Sequence, residues 1–441
     1  MNLLTQLSKY MFLILILFFT LEDYAFFLKK GPHARNRVVR RQFTIIYIFV
    51  LLGFLLIFLN TRDMMAVVLG GGILVYITVT LSCYRLIYSG ASMLLVNNML
   101  MLLGIGFVII ARLDMDKAVK QFMIAAAGTI VAFIVPVIIE KMTFLRKLTW
   151  LYAALGIALL GVVLALAAVS GGAKLSISVG GITLQFSEIV KITLVFFMAA
   201  MLKERRDFRQ VAVTAAVAAL HVVILVLSTD LGTALVFFIA TLVVVFVATG
   251  RPIYPLTGLA GGALASVAAY FLFGHVRQRV VAWQDPFAVY DTSGYQIGQA
   301  LFGIGAGGWF GMGLYGGKPT AIPVASKDFI FAALCEEFGS LFGICLILIC
   351  MSLFLLIVSI STRIDDRFYR LIAIGLGAEY AFQVFLTIGG VTKFIPMTGI
   401  TLPLVSYGGS SVMSTIIMLA IVQGLYILRD DELAEEEGYS Y

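Results

Sequence analysis

Charge is scarce in this chain. Of 441 residues only 12% are Asp, Glu, Lys or Arg, while 61% are hydrophobic and the mean hydropathy is +1.04. A soluble domain carries about twice that charge, so a soluble globular protein is excluded and length says nothing about domain number. Cysteine is almost absent too. Cys83, Cys335, Cys345 and Cys350 lie in or beside apolar runs without paired spacing in a polar loop, which excludes a disulfide framework or a zinc site. Three scattered histidines, His33, His221 and His275, exclude a histidine-built metal centre. Met11–Leu28 runs straight into a basic loop with no small-residue cleavage site, so no cleavable signal peptide is expected. Alternating short strands of barrel type are missing, which leaves helices as the spanning elements. No internal repeat supports an inverted-repeat transporter.

What is present is a series of apolar runs of about the 20 residues a bilayer requires. They cover 5–28, 43–59, 64–88, 93–112, 118–139, 148–169, 187–202, 211–228, 230–249, 254–273, 328–359, 370–390 and 402–428. The chain therefore reads as an all-α polytopic integral membrane protein with roughly thirteen helices. The net charge of +7 does not imply nucleic acid, because the basic residues sit in short loops between these runs. With 29–42 in the cytoplasm, the basic loops 140–147, 203–210, 250–253 and 360–369 fall on the same side. The acidic tail 429–441 is then cytoplasmic. Loops 170–186, 277–327 and 391–401 fall outside, as does the N-terminus.

The outer stretch from Arg277 to Gly339 is the one long segment that is not a continuous apolar run. It holds two of the three tryptophans and the densest glycine cluster. Loops of that length are uncommon and usually functional when they persist. Within it lies Trp283-x-Asp285-Pro286. Pro286 biases Asp285 away from helical angles, and Trp283 suits the membrane–water interface. A carboxylate at that level can reach the head group of a lipid-linked substrate; the bland alternative is that Asp-Pro starts a turn. The glycines from Gly303 to Gly317 are not a phosphate loop, since no Lys-Ser/Thr follows. They suit tight turns or close backbone approach.

Polar residues inside apolar runs are costly, and three groups stand out. Ser187-Glu188-x-x-Lys191 starts a helix that Ser187 can cap, with Glu188 and Lys191 one turn apart and able to pair. Ser228, Thr229 and Asp230 can each cap the next helix. Glu379 and Gln383 share one face. For each group, capping or a neutralised structural pair is an alternative to a functional role.

Five stretches together resemble one family. They are Gln185-x-Ser187-Glu188-x-x-Lys191, Asp230-x-Gly232-Thr233, Trp283-x-Asp285-Pro286 with Gly294-Tyr295-Gln296, Asp328-Phe329-Ile330-Phe331 leading to Glu336-Glu337-x-Gly339, and Thr398-Gly399-x-Thr401 through Ser410-Ser411. Their order is similar to that of the shape, elongation, division and sporulation (SEDS) family. The resemblance covers about 91–428. It implies a ten-helix core with one large extracytoplasmic loop at 275–327, leaving 1–90 as about three additional N-terminal transmembrane helices. This sequence departs from the family pattern at Phe186, Ser228-Thr229, Val324 and Ser326-Lys327, and lacks an Asn expected near Thr387.

The resemblance also implies an activity: polymerisation of lipid II into glycan strands at the outer face of the bacterial cytoplasmic membrane. The partner would be a class B penicillin-binding protein. Asp285 falls on the family's proposed catalytic residue. Loss of the substrate's pyrophosphate calls for positive charge, from a divalent cation (Mg or Mn) or from Arg277, Arg279, Lys318, Lys327 and Lys393, with Arg279 first. Gln296, Ser410 and Ser411 stand in the motifs as substrate-binding candidates; Glu188, Lys191, Asp230 and Glu337 stand as structural or functional polar residues. A lipid II flippase using Glu188, Lys191, Asp230 and Glu379 as a polar path is the alternative, and a scaffold without activity the third reading.

Overall fold

The computed structural model describes residues 2–29, 31–88, 90–166, 177–179, 182–204 and 207–436. In chain order the helices are α1 (Asn2–Leu28), α2 (Pro32–Thr61), α3 (Met64–Ile87), α4 (Met93–Leu113), α5 (Met115–Ala132), α6 (Val135–Lys141), α7 (Thr149–Leu166), α8 (Ser187–Leu202) and α9 (Phe208–Leu227). After these come α10 (Leu231–Thr249), α11 (Ile253–Leu272), α12 (Gly274–Gln284), α13 (Tyr295–Gly307), α14 (Ile330–Phe338), α15 (Ser340–Ser361), α16 (Arg367–Val391) and α17 (Gly409–Glu436). Among the described residues a short antiparallel ribbon, β1 (Ile177–Val179) with β2 (Ile182–Leu184), is the exception to an all-helical architecture. Among the described residues twelve helical spans are long and apolar enough to cross a membrane, and the protein is a multi-pass membrane protein.

Several boundaries differ from the sequence reading, each for a local reason. The apolar run 328–359 breaks at Gly339, whose φ of 92° ends α14 and starts α15 in a new direction. The run 402–428 becomes helical only at Gly409, because 401–408 is irregular and Leu404 takes a φ of 66°. The stretch 277–327 is not structureless: it carries most of α12 and all of α13. α8 has 16 residues and stays below span length. Conversely, α2 starts at Pro32, so most of the basic 29–42 loop is helical; Pro suits a first helical position.

The chain forms two compact units. One comprises 1–130, 279–353 and 387–408. At its centre α4 is buried around nearly its whole circumference, as expected of a helix apolar on every face. Lipid supplies no hydrophobic drive between helices, so close packing and polar contacts must hold them. α1 follows this rule: Phe12 packs edge-on against Phe49 and Phe338 at 5.1 and 4.9 Å, and Phe338 stacks on Phe342 at 4.8 Å. Lys9 Nζ donates to Gly311 O at 3.3 Å and Tyr24 Oη to Leu348 O at 3.1 Å.

The other unit comprises 131–278, 354–386 and 409–441. Here Lys203 Nζ donates to Arg146 O at 2.9 Å, and Arg146 pairs with Asp366 at 2.7 Å. Loops 140–147, 203–210 and 360–369 therefore share one end of this unit. α11 has no buried residue, leaving it an apolar outer face of the described chain.

Candidate functional site

In the first unit, α12 is the element that places Asp285. Arg279 and Trp283, four apart, share a face of α12, and both spend donors on the 391–401 loop. Arg279 Nη1 donates to Thr398 O at 3.0 Å and Trp283 Nε1 to Lys393 O at 3.1 Å. Asp285 is the residue after the helix: its N–H still closes the last turn onto Val281 O at 3.2 Å. Six residues from Arg279, it lies on a different face. Its Oδ1 accepts from the N–H groups of Phe287 and Ala288, both at 3.1 Å. Its Oδ2 makes no hydrogen bond among the described residues, and the residue is exposed. Asp-Pro thus does start a turn, and the carboxylate is fixed by that turn with one oxygen left over.

The turn is pinned to α13. Gly294 stands where a Cβ would lie 2.0 Å from Pro286 O, so only glycine allows the approach. Tyr290 Oη accepts from Gln299 Nε2 at 2.6 Å, and the Phe287 and Phe302 rings meet at 5.5 Å. Gln296 lies exposed on the first turn of α13. Asp328, also in this unit, has its carboxyl pushed up by burial, against the opposing charges of Lys327 and Arg279.

The glycine-rich loop is held by α14. Glu336 Oε1 accepts from Lys318 N at 2.6 Å; Glu337 Oε1 accepts from Tyr315 N at 3.3 Å and pairs with Arg112 Nε at 2.9 Å. Backbone bonds from Met312 N to Glu336 O and Gly313 N to Glu337 O complete the seam. At Gly311, with φ 78°, a Cβ would stand 2.3 Å from Glu337 O, which explains the glycine by close approach rather than phosphate binding. The loop presents the exposed Lys318 side chain, which has no ion pair among the described residues. Tyr315, Val324, Lys393 and Leu404 all take positive φ here, a strained backbone for side chains of that size. Arg112 and Tyr315 were not singled out in the sequence: an arginine at a span end resembles any interfacial cation until its partner is known.

In the second unit a separate polar cluster forms inside the helices. Glu188 pairs with Lys191 at 2.6 Å; Ser414 Oγ donates to Glu188 Oε2 and Lys191 Nζ to Gln383 Oε1, each at 2.8 Å. Glu379 is buried beside Lys191 and Glu188. Ser187 does not cap α8. It is already the first helical residue, and its hydroxyl turns to Asp230 Oδ2 at 3.5 Å. Of the three capping candidates before α10, Asp230 performs the task, accepting from Thr233 N at 3.1 Å. Ser228 instead bonds back to Ile224 O. Burial pushes the Asp230 carboxyl up, against its bonds to Thr233. Ser410 Oγ accepts from Gln185 N at 3.0 Å, while Ser411 is buried and its carbonyl receives Thr415 Oγ1.

We expect Glu188 and Lys191 to behave as one unit. Glu188→Gln or Lys191→Met alone leaves a buried charge unpaired. The double variant should be more stable than the sum of the single losses predicts, by about 0.5–3 kcal/mol of coupling. Thermal unfolding of the four proteins in detergent measures this, and strictly additive losses contradict it.

Residues 91–429 match the model of a family described as cell cycle protein, the family of FtsW, RodA and SpoVE. The peptidoglycan glycosyltransferase RodA of Mycobacterium tuberculosis is 36% identical over 361 residues, 75% of this chain and 76% of that protein. Stage V sporulation protein E of Bacillus subtilis is 32% identical over 319 residues, 69% of this chain and 84% of that protein. Among solved structures, a chain of a peptidoglycan synthase complex that coordinates polymerization and crosslinking superposes with a TM-score of 0.67 at 27% identity, over 77% of this chain and 98% of its own. The rod shape determining protein RodA of Thermus thermophilus does so with a TM-score of 0.58 at 25% identity, over 76% and 96%.

Proposed function

This chain belongs to the FtsW/RodA/SpoVE family of cell cycle proteins and is a peptidoglycan glycosyltransferase, and on that premise we propose that it polymerises lipid II at the outer face of the cytoplasmic membrane with Asp285 as general base. The observation that carries the reading is the Asp285 carboxylate itself. Two backbone N–H groups hold Oδ1, and Oδ2 of this exposed residue at the end of α12 makes no hydrogen bond among the described residues. Oδ2 takes the proton of the acceptor sugar's 4-hydroxyl. That oxygen forms a bond to the anomeric carbon of the donor, and the carbon–oxygen bond to the polyprenyl pyrophosphate breaks. General-base assistance of this kind is typically worth about 10²–10⁴-fold.

The leaving pyrophosphate needs compensating charge. Lys318 on the glycine-rich loop and Lys327 beside Asp328 are exposed and suit this role. Arg279 has one guanidinium nitrogen committed to Thr398 O, so it serves first as the clamp that fixes α12. Among the described residues no three His, Cys, Asp or Glu side chains gather into a metal cage. A divalent cation such as Mg would be the other source of that charge, held by one or two carboxylates together with substrate phosphates and water. Bound there, beside Asp285, it would screen the pyrophosphate as negative charge develops. The flippase reading is set aside, because the matched relatives are glycosyltransferases by name. A crosslinking class B penicillin-binding protein is the partner this reading calls for, in keeping with the synthase complex to which the fold is similar.

Two contacts support a shared outer face. The 277–327 and 391–401 segments, both assigned outside, meet through Arg279 and Trp283. A cysteine placed at Tyr290 should therefore react with an impermeant thiol reagent applied to intact cells, whereas one placed at Phe208 should be protected. The reverse pattern refutes the placement of the chemistry. The activity itself is tested by giving lipid II to the purified full chain, alone and with its transpeptidase. Glycan strands on a gel are expected; translocation of lipid II in vesicles without polymer would overturn the reading.

A further inference from the structure

The end of the second unit that carries loops 140–147, 203–210 and 360–369 also holds a cavity of about 120 Å³. Its apolar walls are Leu202, the last residue of α8, Val247 and Ala248 in the last turn of α10, and Leu371 of α16. Arg367 and Arg370 complete the lining. Three apart at the start of α16, they share a helix face. The 360–369 loop orients Arg370: its Nε donates to Ile364 O at 2.8 Å and its Nη2 to Asp365 O at 3.5 Å. The Asp365 carboxylate stands 4.0 Å from that guanidinium, with its own side chain 96% exposed. Arg367 is exposed, and its side chain makes no ion pair or hydrogen bond among the described residues. Asp366, next to it in sequence, is engaged elsewhere, pairing with Arg146 at 2.7 Å and accepting from Phe368 N at 2.8 Å. The flank beside the cavity is apolar and open. Phe246 and Val247 are 44% and 40% exposed, and α11, which packs on α10 through Gly258 and Gly262, has no buried residue.

We propose that Arg367 and Arg370 bind the phosphodiester head group of an anionic glycerophospholipid of the cytoplasmic leaflet, whose acyl chains lie along α10 and α11. The guanidinium fork matches phosphate oxygens, and both arginines line one recess. Basic recesses between membrane helices on the cytoplasmic side are suited to such head groups, and the basic charge of these loops assigns this end to the cytoplasm. The cavity has roughly ten times the room one water needs, which admits a phosphate. Arginines kept only for solvation need no apolar recess, and a free anion gains nothing from an apolar flank. A ligand charged at one end and apolar at the other uses both. The three helices that meet at the recess also build the buried polar cluster: α8 carries Glu188 and Lys191, α10 is capped by Asp230, and α16 carries Glu379 and Gln383. The bound lipid thus fastens the cytoplasmic ends of the helices that hold the cluster.

The test is native mass spectrometry of the full chain in detergent, titrated with phosphatidylglycerol, phosphatidylcholine or inorganic phosphate. One phosphatidylglycerol should be retained in preference to phosphatidylcholine. An arginine beside an anionic head group is worth about fivefold in affinity, so Arg367→Gln with Arg370→Gln should weaken phosphatidylglycerol binding about thirtyfold. Arg37→Gln with Arg40→Gln removes two exposed arginines of α2, whose start is also assigned to the cytoplasm, and should leave that binding unchanged. Should the α16 double variant fail to fold, Val247→Phe takes its place: it fills the recess from a partly exposed position, keeps both charges and should expel the lipid. Equal retention of the two lipids, or phosphatidylglycerol binding unchanged by the α16 substitutions or by Val247→Phe, overturns the proposal. An equal loss in the α2 and α16 double variants overturns it in favour of diffuse attraction to positive charge. Displacement of the lipid by inorganic phosphate at equal concentration overturns it in favour of a soluble anion.

Discussion

Asp285→Asn is expected to give a protein that inserts, folds and makes no glycan polymer. The substitution preserves the turn, since an amide oxygen can accept from Phe287 N and Ala288 N as the carboxylate does. It removes the proton acceptor at Oδ2. Loss of general-base assistance predicts a fall in kcat of about 10²–10⁴-fold, with membrane level and Tm unchanged. Asp285→Glu keeps the charge and displaces it by one methylene, and a misplacement of about 1 Å costs about 10²-fold. The two variants together separate chemistry from architecture: a turn residue would tolerate Asn and be disturbed by Glu. Lipid II consumption by purified protein measures both. Wild-type turnover by the Asn variant would sink the catalytic assignment.

Much of this was legible in the chain itself, and the parts that were not share a cause. Apolar runs named the spans because lipid demands about 20 such residues per crossing, whatever the tertiary packing. Where a run was interrupted by backbone rather than by charge, hydropathy was blind. Gly339 and Leu404 turn the chain through positive φ inside sequences apolar enough to be read as continuous helix. The helices α12 and α13 were hidden for the opposite reason, since they are neither long nor apolar enough to stand out from a loop. At the site, Pro286 and Trp283 marked Asp285 from neighbouring residues alone. The partners of Glu337 and Trp283 could not be marked so, because Arg112 lies 225 positions and Lys393 110 positions away in sequence. The pair Glu188–Lys191 was legible because one helical turn joins it. What local spacing encodes is readable; what long-range packing brings together is not.

The Arg112–Glu337 pair is where such a long-range contact should have its largest effect on stability. Glu337 is fully buried, its Oε2 has no hydrogen-bond partner among the described residues, and its Oε1 is shared by Arg112 and Tyr315 N. Arg112 also donates to Gly317 O at 3.3 Å and lies 4.1 Å over the Tyr315 ring, so one guanidinium closes the glycine-rich loop. Above about pH 8, where Glu337 is ionised, Arg112→Ala leaves the carboxylate buried without a counter-charge and should destabilise by about 3–5 kcal/mol. Arg112→Lys restores the charge but not the planar fork or the stacking, and should fall between. Adding Glu337→Gln to Arg112→Ala should recover part of the loss, because the uncompensated charge is gone. The pH dependence follows from the same burial. Burial raises the folded-state Glu337 carboxyl from 4.5 to about 8 although Arg112 opposes it. A raised carboxyl contributes most below its unfolded pKa, and that contribution is lost as pH rises toward about 8. In wild type the loss ends near pH 8, where Glu337 ionises beside Arg112, whereas without Arg112 it continues to higher pH, so the deficit of Arg112→Ala against wild type should be constant from pH 5 to 7 and widen above about pH 8, and the double variant should show no such widening. Thermal unfolding across that range measures it. An Arg112→Ala protein as stable as wild type above about pH 8 would show that the pair does not hold the loop.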